Sequence, residues 1–332
     1  MSDSKVVRPQ SEAETETRED TKKRLAEVMS AADMGLAYRK EQTMTQLVWR
    51  AFRRHKPAMI GSAIVLFFAL TAIFAPYLSS YDPEKTDLDN MLQPPSAQHI
   101  MGTDELGRDL LTRIFYGGRV SLSIGVMAMA LAVTVGALVG GVAGFYGGLV
   151  DNILMRFVDM MLAFPSLFIL IILALALRDI PIDALRGTAF ASVFTIVLVI
   201  AVLAWMSVAR LVRASFLALK EKEFIEAAHC AGVPNTRIMI RHLLPNAMSP
   251  IIVAATFRVA TSIITESGLS YLGFGVQPPT PTWGNMLKNA QDQMTRAPWT
   301  AIFPGLMIFI AVVAINFIGD GLRDALDPYK VE

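Results

Sequence analysis

Several stretches of this chain run too far without a charge to fold as anything but membrane-crossing helices. Gly187 to Ala209 holds no Asp, Glu, Lys or Arg, and the same is true of Pro57 to Tyr81, Val120 to Val150 and Ala297 to Gly319. At a helical rise of ~1.5 Å per residue, each block is long enough for a hydrocarbon layer roughly 30 Å thick. With 53% hydrophobic and 18% charged residues, the chain is too apolar for an ordinary soluble domain of its length. Its apolar residues are also gathered in blocks, whereas a soluble core would disperse them. The expectation is an all-α polytopic membrane protein with about six transmembrane helices.

Residues 1–43 form a polar, charged tail, read as partly disordered, with disorder over 1–19 and a short helix from Arg24 to Met34. The first apolar block starts only at Pro57, too late for a cleaved signal peptide. Over 44–56, Met44, Leu47, Val48, Ala51 and Phe52 recur at helical spacing among Arg50, Arg53, Arg54 and Lys56. This predicts an amphipathic helix lying on the membrane, with Trp49 at the interface. Basic residues before a first span are held in the cytoplasm, so the N-terminus is expected inside.

The first span then covers 57–81, and an extracytoplasmic loop covers 82–119. A five-helix core follows over 120–323, and a cytoplasmic C-terminus over 324–332. Within the core, residues 213–246 fall on the cytoplasmic side and carry Arg213, Lys220, Lys222, Arg237 and Arg241. Lys85, Arg108, Arg113 and Arg119 in the first outer loop run mildly against the positive-inside rule. Span three opens with Arg156 and Asp159 one turn apart, expected to pair locally, and is expected to kink at Pro165.

A net charge of +1 gives no electrostatic ground for nucleic-acid binding. The single cysteine, Cys230, excludes an internal disulfide, and the four histidines show no zinc-ligand spacing, so no metal site is expected. No GxxxxGK[ST] phosphate loop is present. Gly136, Gly140 and Gly144 share one helix face, where another backbone can approach closely. Static packing is the plainer reading of that stripe, and a sliding seam the functional one.

Two charges interrupt span five. Arg258 falls near mid-depth, where it must face protein or water, either meeting a substrate carboxylate or closing an internal ion pair with a group such as Asp159. Glu266 lies nearer the outer end and reads first as a snorkelling or hydrated carboxylate, second as a site on the substrate pathway.

The segment containing Glu226, Ala227, Ala228, Gly232, Leu244 and Pro245 reads as two short helices with a bend. Gly232 suits the left-handed end of the first helix, Pro234 prevents its continuation, and Pro245 is expected to close the second before span five. The alanines leave a small-residue face that could enter a groove, with Glu226 and nearby basic residues setting orientation. An ordinary amphipathic loop helix remains open on physics alone.

The string EAAHCAGVPNTRIMIRHLLP over 226–245 resembles the EAA loop of ABC importer permeases, matching at Glu226, Ala227, Ala228, Gly232, Leu244 and Pro245 and departing at His242, where the general motif has Ile. GTDELGRDLLTRIFYGGRVSLSIG, QPPTPTWGNML and GDGLRDALDP resemble, in that order along the chain, the C-type subunit of the dipeptide/oligopeptide (peptide/nickel) importers. The N-terminal tail lies outside the resemblance.

The resemblance implies a type I ABC importer (MetI-like) permease fold in a bacterial or archaeal inner membrane, with both termini cytoplasmic. It implies a non-catalytic subunit that forms half of a pathway for dipeptides or oligopeptides. A second permease subunit, two ABC ATPases seated on the EAA loop and an extracytoplasmic peptide-binding protein are the expected partners. ATP and Mg would sit on the ATPases, with no cofactor on this chain. Nickel chelates and glutathione are alternative cargoes within the family. An ion-coupled secondary transporter would need a set of mid-membrane carboxylates that the chain lacks. An intramembrane protease built on Ser270 would need a buried base, yet His55, His99, His229 and His242 all lie outside the expected spans.

Overall fold

The computed structural model describes residues 22–24, 26, 43–178 and 189–327. Residues 1–49 and 50–332 are two separate units. In the first, residues 22–24 and 26 are helical, and helix α1 (Met44–Arg54) begins. The expectations for residues 1–19, for the rest of a helix reaching Met34 and for the last residues, 328–332, lie outside the described residues.

The second unit is helical, and its described residues contain no strand, only a bridge between Thr103 and Asp109. Helix α2 (Lys56–Ile73) starts at His55, whose Nδ1 accepts from the Ala58 N–H at 3.2 Å, with Pro57 in the first turn where its missing N–H costs nothing. It stops short of the expected Tyr81, giving way to one further turn, Ala75–Leu78.

Helix α3 (Leu110–Tyr146) is about 55 Å long at 1.5 Å per residue. It begins at Leu110 rather than near Val120, where the uncharged block starts. Asp109 caps it, accepting from the Thr112 N–H at 2.8 Å and the Thr112 hydroxyl at 2.6 Å. The charges and paired glycines of 113–119 look like loop in sequence. In the fold, Gly117 and Gly118 instead make room for Thr282 and the Trp283 ring.

At Gly147 (φ 65°) and Gly148 (φ 54°) the chain turns into helix α4 (Gly148–Ala163). A Cβ at either glycine would meet nothing within 4 Å, so the left-handed backbone, not crowding, is what requires glycine there. After Pro165 the chain resumes as α5 (Ser166–Arg178), bent 94° from α4. The expected kink is a full break.

Helix α6 (Ala189–Lys220) runs back the other way. Asp151 of α4 pairs with Arg213 near one end of α6, while Leu170 and Ala174 of α5 pack with Ile196, Val197 and Ile200 toward its other end. The bent pair therefore lies along α6. Helices α2, α3, α6, α8 (Met248–Tyr271) and α10 (Trp299–Leu326) are each long and apolar enough to span alone, so the described residues hold five candidate spans, or six with the bent pair as one.

The most extensive helix contact is α3 against α6, and α10 packs against both α2 and α8. Leu66, Phe67, Leu138, Ile302 and Phe309 point outward. In a bilayer such a surface faces acyl chains rather than water.

Candidate functional site

One end of the bundle carries a helical hairpin. Helix α7 (Glu223–Cys230) ends with the Gly232 N–H on the His229 carbonyl at 2.9 Å and the Val233 N–H on the Ala228 carbonyl at 3.1 Å. This is the Schellman arrangement, and Gly232 holds the left-handed position it needs at φ 73°. From Asn235 the backbone stays helical, passing through a π-helical stretch over Ile238–Leu243.

Pro245 does not stop the second helix at once: Leu244 remains αR, and a short helix runs through Leu244–Asn246 before a one-residue turn at Ala247 separates it from α8. In the wide π-helical turn the Leu244 N–H reaches back to Met239. The Asn246 side-chain amide donates to the His242 carbonyl at 2.6 Å, satisfying an acceptor beside the N–H that Pro245 lacks.

The hairpin is rooted and its tip is free. Ile225, Ile238, Leu243 and Ala247 are buried against Phe145, Val212 and Phe216 of α3 and α6. Glu226, Ala227, Phe224, Ile240, Arg237 and Arg241 are exposed. Glu226 and Ala227 thus stand on the outer surface, Ala228 is half-buried beneath them, and Gly232 and Pro245 are exposed. All six motif residues lie on this one substructure.

Halfway along the bundle, at the break between α4 and α5, lies a cavity of about 300 Å³. Arg258 lines it with Phe164, Ser166, Ser207, Ser262 and Thr265. A second cavity of about 300 Å³ shares Arg258, Ser207 and Thr261 and extends past Leu211 and Ala254 toward the hairpin end. Arg258 sits about 15 Å along α8 from its first residue. Among the described residues it has no carboxylate partner.

Asp159, the suggested partner of Arg258 and the expected local partner of Arg156, pairs instead with Arg210. Asp151 accepts from both Arg213 Nε (2.5 Å) and Arg213 Nη2 (2.6 Å). Two ion pairs thus tie α4 to α6. Arg210 and Arg213 had registered in the sequence only as markers of a cytoplasmic helix end. The signal that could have found their partners is two carboxylates on one helix and two arginines on the next, near the ends that the turn brings together.

Glu266 is neither hydrated nor snorkelling, and it does not line the cavity. It is fully buried, accepting from the hydroxyls of Ser270 (2.7 Å), Ser121 (3.3 Å) and Ser267 (3.5 Å). Ser121 also accepts from the Trp283 N–H at 3.2 Å, which joins α3, α8 and α9 (Trp283–Ala290) at one knot. The surrounding hydroxyls make burial of this polar group tolerable. In sequence they are ordinary serines far apart in the chain.

The glycine stripe faces α6. A Cβ on Gly140 would enter the Ala209 backbone, one on Gly136 would come within 2.6 Å of the Val208 Cβ, and one on Gly144 within 2.8 Å of the Arg213 carbonyl oxygen.

At the opposite end of the bundle, Asp104 binds Arg108 Nε at 2.7 Å and Arg113 Nε at 3.3 Å, so two of the basic residues of this loop are paired locally. Glu105, beside them, has its carboxyl pushed above the usual range, first by burial and then by the neighbouring Asp104 charge. Among the described residues no cluster of His, Cys, Asp or Glu could hold a metal ion.

Residues 120–330, which include the hairpin, the cavity and the glycine stripe, match the family described as binding-protein-dependent transport system inner membrane component. The chain belongs to that family. Residues 43–95 match the N-terminal transmembrane domain of oligopeptide transport permease C. The chain is 43% identical over 280 residues to a dipeptide transport system permease protein of Alkalihalophilus pseudofirmus, covering 84% of this chain and 88% of that one. It is 41% identical over 277 residues to an oligopeptide transport system permease protein of Bacillus subtilis (83% and 87% covered). It is also 43% identical over 281 residues to a glutathione transport system permease protein of Escherichia coli (84% and 89% covered). The chain is thus an integral-membrane permease component of an ABC importer.

Proposed function

We propose that this chain forms half of the translocation pathway of an ATP-driven importer of dipeptides or oligopeptides. A second permease subunit supplies the other half. Two ATPase subunits, carrying ATP and Mg, seat on the hairpin, and an extracytoplasmic binding protein delivers cargo to the opposite end. The hairpin and both chain termini face the cytoplasm. The chain itself catalyses no reaction.

The observation that carries this reading is the hairpin's division into a buried root and an exposed tip. A loop helix that merely covers the bundle would bury its small residues. Here Ala227 and Glu226 are offered outward from a root fixed by Ile225, Ile238 and Leu243. A tip of this kind can enter a groove and transmit force.

Glu226→Lys tests the proposal. Glu226 is exposed, so the substitution should shift stability by no more than ~0.5 kcal/mol. Peptide-dependent ATP hydrolysis and uptake by the reconstituted importer should nevertheless fall about tenfold or more, with the purified variant retaining less ATPase. Unchanged uptake in Glu226→Lys, or uptake by the chain without any ATPase, would refute it.

Glutathione is the second cargo to test, because the glutathione permease relative is as similar to this chain as the dipeptide one. Competition of labelled dipeptide uptake by excess glutathione separates the two.

A further inference from the structure

We infer that the cavity at the break between α4 and α5 is a carboxylate-recognition site on the translocation pathway, with Arg258 and Ser262 as its binding groups. The inference rests on the peptide-importer reading and adds to it a chemical selectivity inside the membrane, separate from any made by a binding protein.

Three observations converge. First, a guanidinium at mid-depth of a membrane bundle needs a counter-charge or water, and Arg258 has no carboxylate partner among the described residues. The two acids of the neighbouring helix are committed elsewhere, Asp151 to Arg213 and Asp159 to Arg210. Second, Ser262, one helical turn beyond Arg258 on α8, is 1% exposed, and its hydroxyl is the one buried side-chain polar atom among the described residues with no hydrogen-bond partner. It lines the same cavity. A buried hydroxyl left unsatisfied costs free energy, and a transient ligand is one reason for a protein to keep it.

Third, the cavity is walled by the first residue of α5, Ser166, where the positive end of a helix dipole adds to the Arg258 charge. The remaining polar lining, Ser207, Thr261 and Thr265, is neutral. Of these, Thr261 and Thr265 already donate to carbonyls on their own helix, Thr261 to Arg258 at 3.0 Å and Thr265 to Thr261 at 2.8 Å. Ser262 is therefore the buried hydroxyl with an unused donor beside Arg258, and the exposed hydroxyls of Ser166 and Ser207 line the same space. One cation, one unpartnered buried hydroxyl and one helix N-terminus with no acid beside them match a single carboxylate. Every peptide with a free C-terminus brings one. The two cavities meeting at Arg258 place that carboxylate where cargo would cross the middle of the bundle.

The competing occupant is a carboxylate of the second permease subunit. It would make Arg258 an intersubunit ion pair, indifferent to cargo.

The test uses the complete importer in proteoliposomes. Uptake of a labelled tripeptide and of its C-terminal amide is compared for the unaltered chain, Arg258→Ala, Arg258→Lys and Ser262→Ala. Arg258→Ala should lower free-acid uptake about tenfold or more, the scale of a lost charge-assisted hydrogen bond, while amide uptake changes less than about twofold. Arg258→Lys should recover part of the loss. Ser262→Ala should raise the KM for the free acid severalfold without lowering the melting temperature.

Should the amide not be delivered at all, a Thr265→Cys reporter in a Cys230→Ser background replaces uptake. Free-acid peptide should protect that thiol from a maleimide several times better than the amide does, and Arg258→Ala should abolish the difference. Equal loss for both peptides, or equal protection by both, would overturn the carboxylate site and point to the intersubunit pair. Absence of ATP-dependent uptake in the unaltered complex would instead remove the importer reading itself.

Discussion

Changing Gly140 to Ala should leave the protein less stable than changing Gly268 to Ala, although both positions lie within apolar spanning helices. Within a helix, Gly→Ala ordinarily stabilises by up to ~1 kcal/mol, because glycine loses more backbone freedom on folding. A Cβ on Gly268 would meet nothing within 4 Å, so Gly268→Ala should show that gain or no effect. A Cβ on Gly140 would drive into the Ala209 carbonyl oxygen, with the Ala209 carbonyl carbon and Cα at 2.9 Å.

Those are backbone atoms of a facing helix. They cannot swing aside as a side-chain tip can, and overpacking of this sort costs ~1–3 kcal/mol. Subtracting the propensity gain leaves Gly140→Ala destabilised by roughly 0–2 kcal/mol, and separated from Gly268→Ala by about 1–3 kcal/mol. Thermal unfolding of both variants in the same nanodisc, followed by loss of the monodisperse chromatographic peak, measures that separation directly. If Gly140→Ala melts at or above Gly268→Ala, the close backbone approach of α3 and α6 is refuted.

Reversing the α4–α6 ion pair as Asp151→Arg with Arg213→Asp should restore most of the stability that either single reversal removes. The coupling should be about 1–3 kcal/mol in a double-mutant cycle of melting temperatures, held toward the lower end by the partial exposure of Arg213. Glu266→Gln should be tolerated because it keeps an acceptor for the Ser270 hydroxyl. Glu266→Ala should cost ~2–5 kcal/mol by leaving a cavity and three serine hydroxyls short of their partner, read as loss of folded protein on extraction.

The spanning helices were legible because lipid imposes a crude rule, a long run without charges, that needs no tertiary information. The rule misplaces ends. It put the start of α3 near Val120, since a helix outside the hydrocarbon is free to carry Arg113 and Arg119, and the cap at Asp109 is what marks the true start. The first half of the hairpin was legible because Gly232 and Pro234 act locally. The second half was not, because whether Pro245 ends a helix depends on the π-helical stretch before it, and no residue in that stretch announces the wider winding. Least legible was the pairing of polar groups. Asp159 could reach Arg156 along its own helix, yet it pairs with Arg210, because the glycine turn at 147–148 folds α4 back along α6. Glu266 looked solvated near a helix end. Only the fold brings Ser121 and Trp283 over it.

The same topology bears on how a push at the hairpin could reach cargo. Leu243 and Ala247 belong to the buried root, and Ala247 leads directly into α8, which carries Arg258 and Ser262 about 16–22 Å further along. Only the one-residue turn at Ala247 intervenes, so under the proposed function a displacement of the hairpin passes to the cavity through α8. The α3–α6 contact is closed by glycine against backbone, and α4 is held to that pair both by two ion pairs and by Met155 and Val158 packed with Met206 and Ala209, while it is severed from α5 at Pro165. Packed interfaces tend to move as blocks, not to deform continuously. Under the proposed function α3, α4 and α6 therefore act as one block, with the outer half of α8 tied to it through Glu266 and Ser121, and the break at Pro165 is the discontinuity in the wall of the Arg258 cavity.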